Sequence, residues 1–135
     1  MLDLLLAAAA LQNANPCIAI TGSPCPWRLL GVDTSESFEV WYDPASWRRT
    51  GGSIEITTRV MYRSPQQDAA GRSYRSSLLF LRLDCQRRTA VTLLRQTFTA
   101  NGDMLENSYT PNASPLSFSA TTIGERLINI MCSYS

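Results

Sequence analysis

The chain has 135 residues, the size of one domain. Hydrophobic residues at 44% and charged residues at 17% exclude a disordered tail or a fibre, and a net charge of +1 lacks the basic excess of a dedicated nucleic-acid binder. All 12 basic residues are arginine, so without histidine or lysine the Ser-His-Asp and Cys-His systems, histidine metal sites, Schiff-base chemistry and a P-loop lysine are ruled out.

Residues 2–11 are apolar except for Asp3. Ten such residues are too few for a membrane span, which needs about 20. They fit the apolar stretch of a secretory signal, followed by the polar Gln12-Asn13 and cut near Ala14. The expected organisation is a signal peptide over 1–14, an N-terminal disulfide loop over 15–26 and a sheet-plus-helix domain over 27–135. Asn15-Pro16 before Cys17 does not suit a lipidation site.

Cys17, Cys25, Cys85 and Cys132 form an even set, and in an exported chain the default reading is disulfides. Cys17 and Cys25 are close in sequence, with Gly22 and Pro24 bending the chain between them. Cys85 ends a strand-like run and Cys132 a helix-like run. The economical pairing of the three available is therefore Cys17–Cys25 with Cys85–Cys132. No C-x-x-C pair supports zinc, and no base is present to activate a thiol.

Residues 27–32 (WRLLGV) read as a first strand and 38–42 (FEVWY) as a second, stopped by Asp43-Pro44. Residues 45–49 read as one helical turn that inserts Trp47 into the core. Residues 53–63 are the most informative stretch: Ile54, Ile56, Thr58, Val60 and Tyr62 fall on one face and Glu55, Thr57, Arg59, Met61 and Arg63 on the other. That is the period of a sheet with one buried face and one largely wet one. Residues 64–71 read as a long exposed loop, and 73–85 resume a strand with Leu79, Leu81, Leu83 and Cys85 on one face. Residues 89–100 are the next strand, and Asn101-Gly102 marks a tight hairpin into 104–109. Thr122 and Glu125 fit a capping box, after which Ile123, Leu127, Ile130 and Met131 make an amphipathic helix face. The expected class is α+β: about six antiparallel strands with one C-terminal helix on one face.

The order of these pieces resembles the surface-adhesin protein E family of Gram-negative bacteria. The residues that carry the resemblance are Trp27-Arg28-Leu29-Leu30-Gly31, the stretch from Val40 through Asp43-Pro44 to Arg49, Gly71-Arg72-Ser73-Tyr74-Arg75-Ser76, Leu83-Asp84-Cys85 with Arg87-Arg88, and Ile123-Gly124-Glu125 with Cys132. The resemblance implies a signal peptide, a six-stranded antiparallel sheet and a helix tied to it by the disulfide that maps to Cys85 and Cys132. It also implies adhesion to host matrix proteins. Trp47, where a smaller aliphatic residue is usual, and the extra Cys17/Cys25 pair depart from the pattern.

Arg72, Arg75, Arg87 and Arg88 lie at the two ends of one strand, as a cationic patch with Tyr74 for an acidic partner or as solvated arginines that protect a sheet edge. Even-numbered positions of 73–85 point away from the helix, so Tyr74, Leu78 and Phe80 stand on the other face beside Arg82, an apolar group rimmed by charge. Two of the three tryptophans are expected in the core, and Asp33, Asp43 and Asp84 in turn or cap roles. The reading that follows is an exported, non-enzymatic binding module of the periplasm or outer cell surface of a Gram-negative bacterium. It needs no cofactor, nucleic acid or membrane span. Its partner is a protein, either a host matrix protein or an envelope component. The alternatives are a homodimer burying Leu78 and Phe80, a periplasmic structural or inhibitor-like protein with one endogenous partner, or an enzyme using carboxylates or a thiol.

Overall fold

A computed structural model describes residues 26–33, 35, 37–117 and 123–134. The sequence-predicted signal peptide, the Cys17/Cys25 loop and the Thr122 end of the capping box lie outside those residues. Eight strands form one sheet: β1 (Arg28–Val32), β2 (Phe38–Tyr42), β3 (Arg48–Thr50), β4 (Ser53–Gln67), β5 (Ser73–Asp84), β6 (Thr89–Phe98), β7 (Met104–Tyr109) and β8 (Leu116–Ser117). The main path runs β1-β2-β4-β5-β6-β7, six antiparallel strands as expected, with the short β3 on β4 and β8 on β6. Among the described residues one α-helix, α1 (Ile123–Cys132), completes the fold.

The period-two reading of residues 53–63 holds. Ile54, Ile56 and Val60 of β4 are buried and stand opposite Leu83, Leu81 and Ser77 of β5. Onto this face α1 presses Leu127, Ile128 and Met131, all at or below 3% exposure. Burying such side chains stabilises by about 1.5–3 kcal/mol each. Because the sheet is wide and the helix only ten residues long, one element covers part of one face and none of the other.

The helix is fastened at both ends. At its C-terminal end the Cys85–Cys132 disulfide spans a sequence separation of 47 with Cα atoms 5.8 Å apart. There Trp47 donates its indole N–H to the Met131 carbonyl at 3.1 Å, and its ring packs against Tyr134. Trp47 thus packs against the core as expected. The other two tryptophans do not join it: Trp41 stands on the opposite sheet face and Trp27 is half-buried outside the core. At the N-terminal end, Arg88 reaches from the β5–β6 turn to the Glu125 carboxylate and to the side-chain oxygen of Asn129 at 2.6 Å. Arg88 holds a left-handed backbone (φ 55°), a conformation costly for a residue with a Cβ and sustained by these two contacts.

Three local expectations need correction. Residues 64–67 are not loop: β4 continues through Pro65 to Gln67, because Gln66 and Gln67 pair with Tyr74 and Ser73. Only 68–72 turn, around Asp68, which accepts the backbone N–H groups of Ala70 and Arg72, with Gly71 at φ 79°. Asn101-Gly102 does not make a two-residue hairpin. Phe98 pairs with Met104, so the loop is 99–103, closed by the Thr99 N–H on the Asp103 carbonyl at 2.8 Å, with Gly102 supplying a φ of 90°. The single turn after Asp43 is a 3-10 turn over Pro44–Ser46, and the chain is back in a strand by Arg48.

Asp33, Asp43 and Asp84 take the turn and cap roles expected of them. Asp33 accepts the Phe38 N–H, Asp43 the Ala45 N–H, and Asp84 those of Gln86 and Arg87.

Two predictions follow from this architecture. Non-reducing peptide mapping should recover Cys85 and Cys132 in one linked fragment, and replacing both by serine should lower unfolding free energy by about 4 kcal/mol in urea titrations. Asp68 is held below the ordinary carboxylate range, first by the Arg72 backbone N–H and also by the Arg72 guanidinium and the Ala70 N–H. A depressed carboxylate contributes stability above its unfolded pKa of about 4 and loses it as pH falls through the folded value. The stability difference between wild type and Asp68→Asn should therefore be constant above about pH 5 and shrink below about pH 4.

Candidate interaction surface

Residues directly opposite one another on neighbouring strands share a face, so the registers lay out the side of the sheet that faces away from α1. One row across it is Val32, Glu39, Met61, Ser76, Phe98 and Met104. The next is Leu29, Trp41, Arg59, Leu78, Gln96 and Asn107. A third is Thr57, Phe80, Leu94 and Tyr109. With five strand spacings of about 4.8 Å the face is roughly 24 Å wide. Among the described residues the four exposed large apolar side chains, Leu29, Val32, Met104 and Tyr109, lie on it, along its two edges.

Leu78 and Phe80 occupy this face as expected, half-buried beside their neighbours. Arg82 follows them, 3.6 Å from Glu55. Near that end a cleft of about 250 Å³ is lined by Arg82, Asp84, Arg87 and Thr89 among others. Arg87 is 4.0 Å from Asp84, so each arginine of the cleft faces a carboxylate, and the cleft is close to neutral.

The four arginines singled out from the sequence do not form one patch. Arg87 is the most open, with 83% of its side chain exposed. Arg88 is turned to the helix side and engaged there. Arg72 is paired with Asp68 at 2.9 Å. Arg75 donates to the carbonyls of Tyr62 and Arg63 at 3.2 and 2.9 Å, where residues 62–65 of β4 stand against it in a wide bulge.

That bulge also overturns the expected direction of Tyr74. Ser76 and Ser77 are both buried, so strict alternation breaks at this point of β5. Tyr74 is buried on the helix side, its ring edge-on to Tyr62 at 5.7 Å and its hydroxyl accepting from Arg95 at 3.3 Å. It is not an aromatic contact on the outer face.

Two charged residues that sequence reasoning left unremarked lie in the middle of the outer face. Glu39 is 2% exposed; Oε2 accepts the Trp41 indole N–H at 3.1 Å, and Oε1 has no partner among the described residues. Arg59, diagonally across on β4, stacks 4.9 Å from the centroid of Phe98 and reaches Ser76 at 3.4 Å, while its Nε is buried without a partner. Burial draws the Arg59 pKa down from its ordinary value. The alternation Phe38-Glu39-Val40-Trp41-Tyr42 sets Glu39 on the face opposite Val40, and nothing in one strand's sequence reports its burial or its bond to Trp41. Among the described residues no group of three or more His, Cys, Asp or Glu side chains could hold a metal ion. No described helix is long and apolar enough to cross a membrane, which says nothing about strands.

The class the described residues define is a wide antiparallel sheet with a disulfide-pinned C-terminal helix on one face and a mixed apolar and polar surface on the other. The family profile described as surface-adhesin protein E matches residues 27–133. The chain belongs to that family. Its fold is similar to solved structures of Haemophilus influenzae protein E. One is 13% identical with a TM-score of 0.55, covering 84% of this chain and 89% of that one. A second crystal form is 11% identical with a TM-score of 0.56, covering 84% and 92%. Protein E from non-typeable Haemophilus influenzae is 12% identical with a TM-score of 0.54, covering 84% and 80%. At such identities the likeness is one of fold. No curated protein sequence matches the chain.

The orphan charge yields a prediction. Glu39→Gln keeps an acceptor for Trp41 and removes a buried charge, so urea unfolding should show a gain of about 1 kcal/mol. An unchanged or lower midpoint would mean that Oε1 is satisfied in solution.

Proposed function

We propose that this chain is an exported, non-enzymatic adhesion module, displayed in the periplasm or at the outer surface of a Gram-negative cell, that holds a matrix glycoprotein through the sheet face opposite α1. The observation that carries this reading is the composition of that face. Leu29, Val32, Met104 and Tyr109 are exposed along its edges, with Leu78 and Phe80 between them and no described element over them. Exposed apolar residues beside charges such as Arg82 and Arg87 are a common form of interaction surface. The family membership supports the adhesive role. The mutual engagement of Asp33, Asp43 and Asp84 with turn backbones argues against paired catalytic carboxylates.

A second reading, a homodimer that buries Leu78 and Phe80, rests on the same face. What favours it is that Leu78 and Phe80 are only half-buried there, with no described element over them.

Phe80→Asp decides between them. On the adhesion reading the variant keeps its circular dichroism and remains monomeric like the wild type. Its retention on immobilised matrix glycoproteins falls at least tenfold, and Arg87→Glu weakens it further by a few-fold. Conversion of a wild-type dimer to monomer with retention unchanged makes the face a self-interface instead. Arg88 is a poor probe, because its charge reversal would break the contacts to Glu125 and Asn129 that seat the helix.

A further inference from the structure

A two-residue hairpin at Asn101-Gly102 would hold both residues at positive φ and fix the asparagine backbone there. The five-residue loop 99–103 leaves the pair in a different state. Among the described residues that carry a side chain only Arg88 has a positive φ, so Asn101 keeps the ordinary backbone region near the loop tip. Gly102 alone turns left-handed, at φ 90°. Both residues are exposed, and beyond the chain neighbours no heavy atom lies within 4 Å of where a Gly102 Cβ would stand.

The side-chain carbonyl carbon of an asparagine can be attacked by the backbone nitrogen of the next residue. A side chain on that next residue crowds the ring that forms, and a fixed backbone keeps the two atoms apart. The other described asparagines meet one or both obstacles. Asn107 lies within β7, accepts from Gln96 at 3.3 Å and precedes Ser108. Asn129 lies within α1, accepts from Arg88 and precedes the β-branched Ile130. Asn112 is exposed but precedes Ala113, whose N–H is bonded to the Thr110 carbonyl. Only Asn101 precedes a glycine. The Gly102 N–H does reach the Thr99 carbonyl at 3.0 Å, but this bond sits at an exposed loop tip, where local opening costs least.

We propose that Asn101-Gly102 is a self-modification site, at which the folded chain deamidates in water. The Gly102 nitrogen gives its proton to hydroxide and bonds to the Asn101 side-chain carbonyl carbon. The side-chain nitrogen leaves as ammonia, taking a proton from water. A second water then opens the cyclic imide at either carbonyl, leaving aspartate or isoaspartate. Asparagine is among the thermolabile residues for this reason. The product carries carboxylates at 101 and 103 beside Met104, which is 50% exposed at the margin of the outer face. Where isoaspartate forms, the backbone gains a methylene inside the loop that the Thr99 N–H closes on the Asp103 carbonyl at 2.8 Å. The reaction belongs to the chain alone and is independent of what the outer face holds.

The test is to hold the folded, disulfide-intact chain at mildly alkaline pH and body temperature and to map its peptides by mass spectrometry over time. Isoaspartate is scored with a protein isoaspartyl methyltransferase. Asn101 should convert at least tenfold faster than Asn107, Asn112 or Asn129, at a rate that rises with hydroxide concentration, and the product should contain isoaspartate. Asn101→Gln, whose longer side chain closes the ring poorly, should abolish conversion in that peptide and keep the circular dichroism. A smaller lead over the other three asparagines overturns the proposal, as does conversion of Asn101 in urea alone. Aspartate without isoaspartate overturns it too, because direct hydrolysis of the side chain would then replace attack by Gly102.

Discussion

The tie between Cys85 and Cys132 sets what the rest of the molecule can do. It joins the last residue after β5 to the last residue of α1, the two central apolar elements, and so fixes which face of a wide sheet is buried. Ten helical residues bring Leu127, Ile128 and Met131 against Ile54, Ile56, Leu81 and Leu83. The indole of Trp47 and the guanidinium of Arg88 hold the two helix ends at the positions the disulfide permits. A helix this short has little stability of its own, so its place comes from these tertiary contacts.

One-sided coverage has a direct consequence. Strands that alternate inward and outward must carry a second face, and here that face mixes apolar residues with polar ones, Glu39 and Arg59 at its middle. Buried charges without partners are costly unless another group meets them. At one margin of the sheet α1 lies beside β1. Asp33, Asp43, Asp68 and Asp84 are each engaged by the backbone of a turn.

Local patterns carried much of this. The strict alternation of residues 53–63 named both the strand and its buried face, and Leu79, Leu81 and Leu83 named the face of β5 that meets the helix. The strand of residues 104–109 was legible from its composition and flanking turns. Less was legible where pairing overrides composition. Pro65 and two glutamines read as loop, yet Gln66 and Gln67 find partners in Tyr74 and Ser73 and extend β4. Asn-Gly read as the tightest hairpin, yet the register of Phe98 with Met104 leaves five residues in the loop.

By itself the sequence determined the class of fold, the order of its six main strands and helix, and the absence of histidine- or lysine-based chemistry, and it made Cys85–Cys132 part of the economical pairing. Each of these is written in composition or in the spacing of neighbours along the chain. Tertiary structure alone decided the fate of individual polar side chains. It set Arg88 on the helix and left Arg87 open, turned Tyr74 onto Tyr62 at the bulge, and buried Oε1 of Glu39 and Nε of Arg59 without a hydrogen-bond partner. Those outcomes depend on register and bulges between strands far apart in sequence, and a shift of one residue in either would have sent each side chain to the other face.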